Sequence, residues 1–207
     1  MSQNKLVIAT RNIGKLNEFK KLLNPLNIEV LSLADFPQIG EINENGETFE
    51  ENALIKAREV TKNAGIISLA DDSGLEVDYL QGLPGVISAR FAGEPSDDQK
   101  NNQKLLKLLT GVPLDKRTAR FKCVIAIVKP DGSEFTVEGS CEGFILEEEK
   151  GSSGFGYDPL FYVPEYAKTF AQLELEVKNK ISHRGKATQK AIKILTKIFN
   201  AEVVHSS

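Results

Sequence analysis

Leu69-Ala70-Asp71-Asp72-Ser73-Gly74 decides how this chain is read, together with the apolar residues Ile66 and Ile67 that lead into it. An apolar run of this length reads as a buried strand. It ends in two adjacent carboxylates, a hydroxyl and a glycine that permits a sharp exit. Carboxylates at the mouth of a buried strand are costly unless a cation compensates them. A hard divalent ion such as Mg²⁺, held by one or two carboxylates plus substrate phosphates, meets that need. A solvated Asp-Asp-Ser-Gly turn is the competing account.

Working towards the N-terminus, residues 5–10 form a strand that opens onto Arg11-Asn12-Ile13-Gly14-Lys15. Leu16, Phe19, Leu22 and Leu23 then recur at helical spacing until Pro25 ends the helix. A turn of Thr, Asn, Gly and Lys at a helix start suits an anion, through backbone N–H groups and the Lys ammonium. The Walker spacing is absent, and plain helix capping is the alternative. A second strand is expected over 27–33. Thr48-Phe49-Glu50-Glu51 is a capping box, opening a helix with Phe49, Ala53, Leu54, Ala57 and Val60 on one face. Glu44 lies just before it, as a helix-dipole partner, a metal ligand or a solvated loop acid.

Beyond Gly74 the pattern gives a strand over 75–80, a turn at Gly82-Leu83-Pro84-Gly85, a short helix over 86–91 and a helix from Ser96-Asp97. Long strands follow over 118–128 and 133–146. The second alternates Phe135, Val137, Gly139 and Cys141 with polar residues, while Val124-Ile125-Ala126-Ile127-Val128 must be covered on both faces. Gly151-Ser152-Ser153-Gly154-Phe155-Gly156-Tyr157-Asp158-Pro159 is a glycine-rich loop. It either lets a flat ligand approach under a stacking ring or plugs Phe155 and Tyr157 into the core. Lys178, His183 and Arg184 precede a terminal amphipathic helix, where cations suggest an anion or carbonyl that compensates them, a basic solvated face being the alternative. His183 is expected beside Arg184 rather than on an apolar face.

The 207 residues suffice for one good-sized domain or two small lobes, and 41% hydrophobic with 27% charged residues is ordinary globular composition. A net charge of −3 without a basic stripe argues against a nucleic-acid partner. No segment has the length and apolarity of a membrane span or signal-peptide core, which makes the cytoplasm the expected location. Cys123 and Cys141 lack metal-ligand spacing; they could face each other across a hairpin, but reduced buried thiols are expected in a cytosol.

Taken in order, these segments resemble the inosine triphosphate pyrophosphatase family, which acts on non-standard purine nucleoside triphosphates. The carriers are Thr10-Arg11-Asn12-Ile13-Gly14-Lys15, Glu44 with Thr48-Phe49-Glu50-Glu51-Asn52-Ala53, Leu69-Ala70-Asp71-Asp72-Ser73-Gly74, residues 83–93, Gly154-Phe155-Gly156-Tyr157-Asp158-Pro159 and Ser182-His183-Arg184-Gly185. Ile87, Phe91 and Gln172 depart from the family's usual residues but lie outside these motifs' chemistry. The resemblance implies an α/β fold: one domain over residues 1–207 with a long, twisted, mixed sheet, flanking helices and two intertwined lobes enclosing a cleft. It implies a homodimer that hydrolyses ITP, dITP and XTP to the monophosphate and pyrophosphate with Mg²⁺. Thr10, Arg11, Asn12, Ile13, Gly14 and Lys15 would hold the triphosphate. Glu44 and Asp72 would ligate Mg²⁺, with Asp72 also accepting the proton of the attacking water. Ser73 would contact the substrate, Phe155, Gly156, Tyr157, Asp158 and Lys178 would hold the nucleoside, and His183 and Arg184 would read the base. Rival readings are a pyrophosphatase for pyrimidine or modified nucleotides and a nucleotide sensor without turnover.

Overall fold

The computed structural model describes residues 4–205, with side chains up to residue 200. The elements are β1 (Lys5–Ile8), α1 (Ile13–Leu23), β2 (Glu29–Ser32), α2 (Phe49–Ala64), β3 (Ser68–Val77), α3 (Asp98–Leu108), β4 (Thr118–Val128), β5 (Glu134–Ile145), β6 (Phe161–Val163), β7 (Lys168–Thr169), α4 (Leu175–Ile181) and α5 (His183–His205). Among the described residues the strands form one seven-stranded sheet, ordered β2-β1-β3-β4-β5-β6-β7. β1 runs parallel to β2 and β3, whereas β6 is antiparallel to β5 and β7. The expected α/β class, with a mixed sheet flanked by helices, is therefore observed. Among the described residues no helix is long and apolar enough to cross a membrane.

The chain divides into two compact units, each assembled from separated stretches. The first gathers the chain up to Asp72, Cys123–Gly139 and the chain from Arg184; the second gathers Ser73–Lys122 and Ser140–His183. Each has its own core. The first packs Leu6, Ile8, Phe19, Leu69, Ile125 and Ile127 with Ala187, Ala191 and Leu195 of α5. The second packs Leu75, Leu105, Phe121, Leu160, Phe161 and Phe170. Burial of each Leu, Ile or Phe contributes about 1.5–3 kcal/mol, so both units have their own driving force. Arg117 is buried in the second, donating to the carbonyls of Leu109, Val112 and Leu146 at 2.7, 2.9 and 3.0 Å.

Local signals locate most elements. Thr48 and Glu51 form the capping box that starts α2, and Gly65, in the left-handed region at φ 66°, ends it. Asp97 caps α3 by accepting from Lys100 N–H at 3.0 Å. The sequence suggests a turn at Gly74, but β3 instead runs unbroken from Ser68 to Val77. The acids find cations without leaving the sheet, so the strand has no need to turn to water there. The separate strand over 75–80 is this same strand followed by a helical turn, Asp78–Leu80. β6, β7 and α4 carry no sequence forecast, the two strands being three and two residues long and thus too short for a period. Both cysteines are buried and unbridged.

Candidate active site

The register of β1 against β3 positions a first group of side chains, in the first unit. Ile8 is level with Leu69, and Ala9 N–H still donates to Leu69 C=O at 2.8 Å. Beyond this point β1 gives way to a turn while β3 continues. Thr10 and Asp71, each two residues past the paired level, thus stand at the C-terminal end of parallel β1, where open α/β sheets bind ligands. In the turn, Thr10 Oγ1 accepts from Asn12 N–H at 3.2 Å, and Asn12 Oδ1 caps α1 by accepting from Lys15 N–H at 3.0 Å. Lys15 Nζ reaches Asp71 Oδ2 at 3.0 Å. The Arg11 guanidinium donates to the carbonyls of Ile39 and Gly40, and Ile13 is 74% exposed. Ile13 and Gly14 stand in the first turn of α1, where helix N–H groups suit an anion, whereas Arg11 precedes the cap.

Because side chains alternate along a strand, the adjacent acids belong to opposite faces of β3. Asp71 shares its face with Leu69 and meets α1 and α5: besides Lys15, its Oδ2 lies 3.4 Å from Arg184 Nε. Arg184 is buried, and its Nη1 donates to Glu18 Oε2 at 2.6 Å. Asp72 shares its face with Ser68 and meets α2. Its Oδ2 accepts from Asn52 Nδ2 at 3.3 Å and its Oδ1 lies 3.4 Å from Lys56 Nζ. The same ammonium donates to Glu44 Oε2 at 2.7 Å. Asn52 Oδ1 in turn accepts from Gly46 N–H at 2.8 Å, tying the Glu44 loop to α2. The Asp-Asp pair is thus two separate ionic centres.

Burial pushes the Asp72 carboxyl above the usual carboxylate range, and the ammonium groups of Lys56 and Lys15 pull it back only in part. Burial also works against the Lys56 charge, but Asp72, Asp71 and Glu44 outweigh it and hold the ammonium above its ordinary range. At Arg184 burial is likewise outweighed, by Asp71 and Glu18. Four carboxylates (Glu18, Glu44, Asp71, Asp72) face three cations (Lys15, Lys56, Arg184), leaving negative charge to attract a further cation. Among the described residues no three His, Cys, Asp or Glu side chains converge as a metal cage. Glu44 and Asp72 nevertheless converge on one ammonium, as two hard oxygen donors must to share one ion. That pair fits Mg²⁺, which takes one or two carboxylates and completes its shell with phosphate and water.

In the second unit the glycine-rich loop is held by its own acid. Asp158 Oδ2 accepts from Phe155 N–H at 3.0 Å and from Lys178 Nζ at 2.6 Å. Lys178 Nζ lies 5.2 Å from the centre of the Phe155 ring, a cation–π distance. A Cβ on Gly154, at φ 83°, would fall 2.0 Å from that Asp158 oxygen, so the turn requires glycine. Tyr157 is buried and donates through its hydroxyl to Ser88 C=O at 2.8 Å, while Phe155 stays half-exposed. Tyr157 is thus a plug, whereas Phe155 is only partly buried. His183 is buried on aromatic rings, 4.7 Å from Phe121 and nearly parallel to it. The expectation that it avoids an apolar face is corrected: its ring is flat enough to extend the Phe121–Phe170 stack. Ser73 follows Asp72 on β3, half-buried.

The structure gathers Lys15, Asp71 and Arg184 in one centre, Glu44 and Asp72 in another, and Phe155, Asp158 and Lys178 in a third. Sequence reading missed Asn52, Lys56 and Glu18. Asn52 and Lys56 carry a usable signal: four residues apart, they border the buried stripe of Ala53, Ala57 and Val60 on α2.

Comparison with known proteins places the chain in a family. The sequence model of the Ham1 family matches residues 6–194. A dITP/XTP pyrophosphatase of Desulforamulus reducens is 60% identical over 195 residues, covering 94% of this chain and 97% of the relative. One from Listeria monocytogenes is 52% identical over 194 residues, covering 94% and 96%. The solved Ham1 protein of Staphylococcus aureus superposes with a TM-score of 0.84 at 41% identity, over 94% of this chain and 99% of that one. The Ham1 protein of Coxiella burnetii gives 0.86 at 41%, over the same shares. The chain therefore belongs to the Ham1 family.

Proposed function

We propose that this chain is a Mg²⁺-dependent nucleoside triphosphate pyrophosphatase that hydrolyses ITP, dITP and XTP to the monophosphate and pyrophosphate, clearing deaminated purines from the nucleotide pool. The observation that carries this reading is Asp72: a buried carboxylate oriented by Asn52 and sharing the Lys56 ammonium with Glu44. A carboxylate held in this way can take a water's proton as the bond to phosphorus forms. The names of the D. reducens and L. monocytogenes relatives support the same substrate class.

Water adds to the α-phosphorus, the bridging bond from that phosphorus to the β-phosphate oxygen breaks, and pyrophosphate leaves. Asp72 takes the water's proton. Thr10, Asn12 and the N-terminus of α1 hold the triphosphate, and Lys15 and Lys56 stabilise the charge developing on the leaving group. Glu44 and Asp72 would hold Mg²⁺, which would supply neutralisation of phosphate charge and polarisation of the phosphoryl oxygen. Phe155 stacks on the purine regardless of its identity, and Lys178 with Asp158 holds the nucleoside end. Selectivity then comes from the base edge. Donors from His183 and Arg184 pair with the 6-carbonyl of hypoxanthine or xanthine and confront another donor in adenine, a mismatch worth far more than lost area. We take the working form to be a cytoplasmic homodimer.

Offering ITP, XTP, dUTP, ATP and GTP in parallel and analysing phosphate products tests the reading. Pyrophosphate released chiefly from ITP and XTP, abolished by chelation and restored by Mg²⁺, is expected. Orthophosphate would move the cleavage point, and tight ITP binding without turnover would make the chain a sensor.

A further inference from the structure

Phe155 lies between Gly154 and Gly156, a poor mounting for a ring that has to stack in one orientation. Gly156 has φ 61°, and open space surrounds the position a Cβ would take, so no side chain anchors this residue. Its peptide groups are held instead. Gly156 N–H donates to Asp98 Oδ2 at 2.7 Å, a short charge-assisted bond, and Gly156 C=O accepts from Asn102 Nδ2 at 3.2 Å. Asp98 and Asn102 are four residues apart on α3 and so share one helix face. Asn102 Nδ2 also donates to Glu149 Oε1 at 2.8 Å. Both of its partners are acceptors, which fixes the orientation of the amide and leaves its buried Oδ1 without a hydrogen-bond partner. An apolar side chain would fill this 3%-exposed position without that cost, so the two donations are what the amide brings. On its other side the loop is already tied, through Tyr157 to Ser88 and through Asp158 to Lys178.

We propose that Asp98 and Asn102 are positioning residues that set the Phe155 ring for the purine by clamping both peptide groups of Gly156. This rests on the reading that Phe155 stacks on the base. Neither residue belongs to the carboxylate centres of the first unit, so the clamp governs binding and leaves the chemical step alone.

Steady-state kinetics with ITP on Asp98→Ala, Asp98→Asn, Asn102→Leu, Phe155→Ala and the double variant Asp98→Ala/Phe155→Ala test it. Loss of one charged hydrogen bond predicts KM raised roughly tenfold in Asp98→Ala, with kcat within about twofold of the parent. Asp98→Asn keeps an oxygen acceptor and should return KM most of the way, which a merely structural role or a surface-charge effect would not produce. Because the clamp acts through the ring, Asp98→Ala should add little to Phe155→Ala. A normal KM in Phe155→Ala overturns the stacking reading itself. A raised KM there, with Asp98→Ala unaltered or fully additive, overturns the clamp and leaves the stacking intact. Thermal melting identifies any variant that fails to fold; should Asn102→Leu do so, the Asp98 series decides alone.

Discussion

Exchanging Asp72 for Asn separates proton acceptance from shape. General-base catalysis is worth about 10²–10⁴-fold, and this carboxylate is also a proposed metal ligand, so kcat should fall by roughly 10³-fold. At 1.36 kcal/mol per decade that is about 4 kcal/mol of barrier. The effect on stability is smaller, because two contributions oppose. The wild-type carboxyl is raised above its unfolded value of 3.8 by burial, so its ionised form counts against folding. That cost is absent below pH 3.8, grows as pH rises through the folded pKa, and is constant above it; a neutral amide removes it. Against this, Asn52 and Lys56 each donate to a different Asp72 oxygen. An amide has one oxygen, so one donor loses its acceptor, at about 1–3 kcal/mol. The net change should stay within ~2 kcal/mol, or under about 8 °C in Tm for a chain of this size. Continuous pyrophosphate release and thermal melting measure the two quantities. A variant with kcat within tenfold of the parent would show that Asp72 is not the base.

Lys56→Met leaves Asp72 and Glu44 facing each other without their shared cation. Removing one partner of a buried pair costs roughly 3–5 kcal/mol; Glu44 is 35% exposed, which argues for the lower end, and an unchanged Tm would refute the pairing. Arg184→Ala should narrow the ratio of ITP to ATP turnover and also lower Tm, since Glu18 and Asp71 lose a buried partner. An unaltered ratio would mean the base is read by other groups. Gly46→Ala places a Cβ 2.7 Å from both Asn52 Oδ1 and Glu51 Cβ, displacing the loop that carries Glu44. The Mg²⁺ concentration for half-maximal activity should then rise roughly tenfold, as losses around metal ligands do; an unchanged titration would show that the loop absorbs the group elsewhere.

What was legible in the sequence is what short-range chemistry decides. The Thr48–Glu51 capping box, the Asn12 cap and the continuous burial of residues 124–128 follow from neighbours within a few positions. The opposite facing of Asp71 and Asp72 is equally local, but it is hidden once Gly74 is taken as a turn. Arg184 and Glu18 lie 166 positions apart, and no pattern within a helix announces their pairing. His183 misled for a different reason. Its apolar neighbours are Phe121, on a strand 62 positions earlier, and Phe170, on a helical turn 13 positions earlier, so its own flanks look polar.

The interleaving of the two units bears on how the chain is made. Everything the second unit needs, from Ser73 to His183, has been synthesised by the time α5 begins. β1 has to wait for Ala187, Ala191 and Leu195, about 180 residues further along the chain. On a ribosome adding about 5–20 residues per second, the apolar faces of β1 and α1 therefore stay uncovered for roughly ten seconds or more. During that time Lys15 and Asp71 already exist, but Arg184 does not. Truncation before α5 should therefore produce an insoluble protein rather than a smaller enzyme.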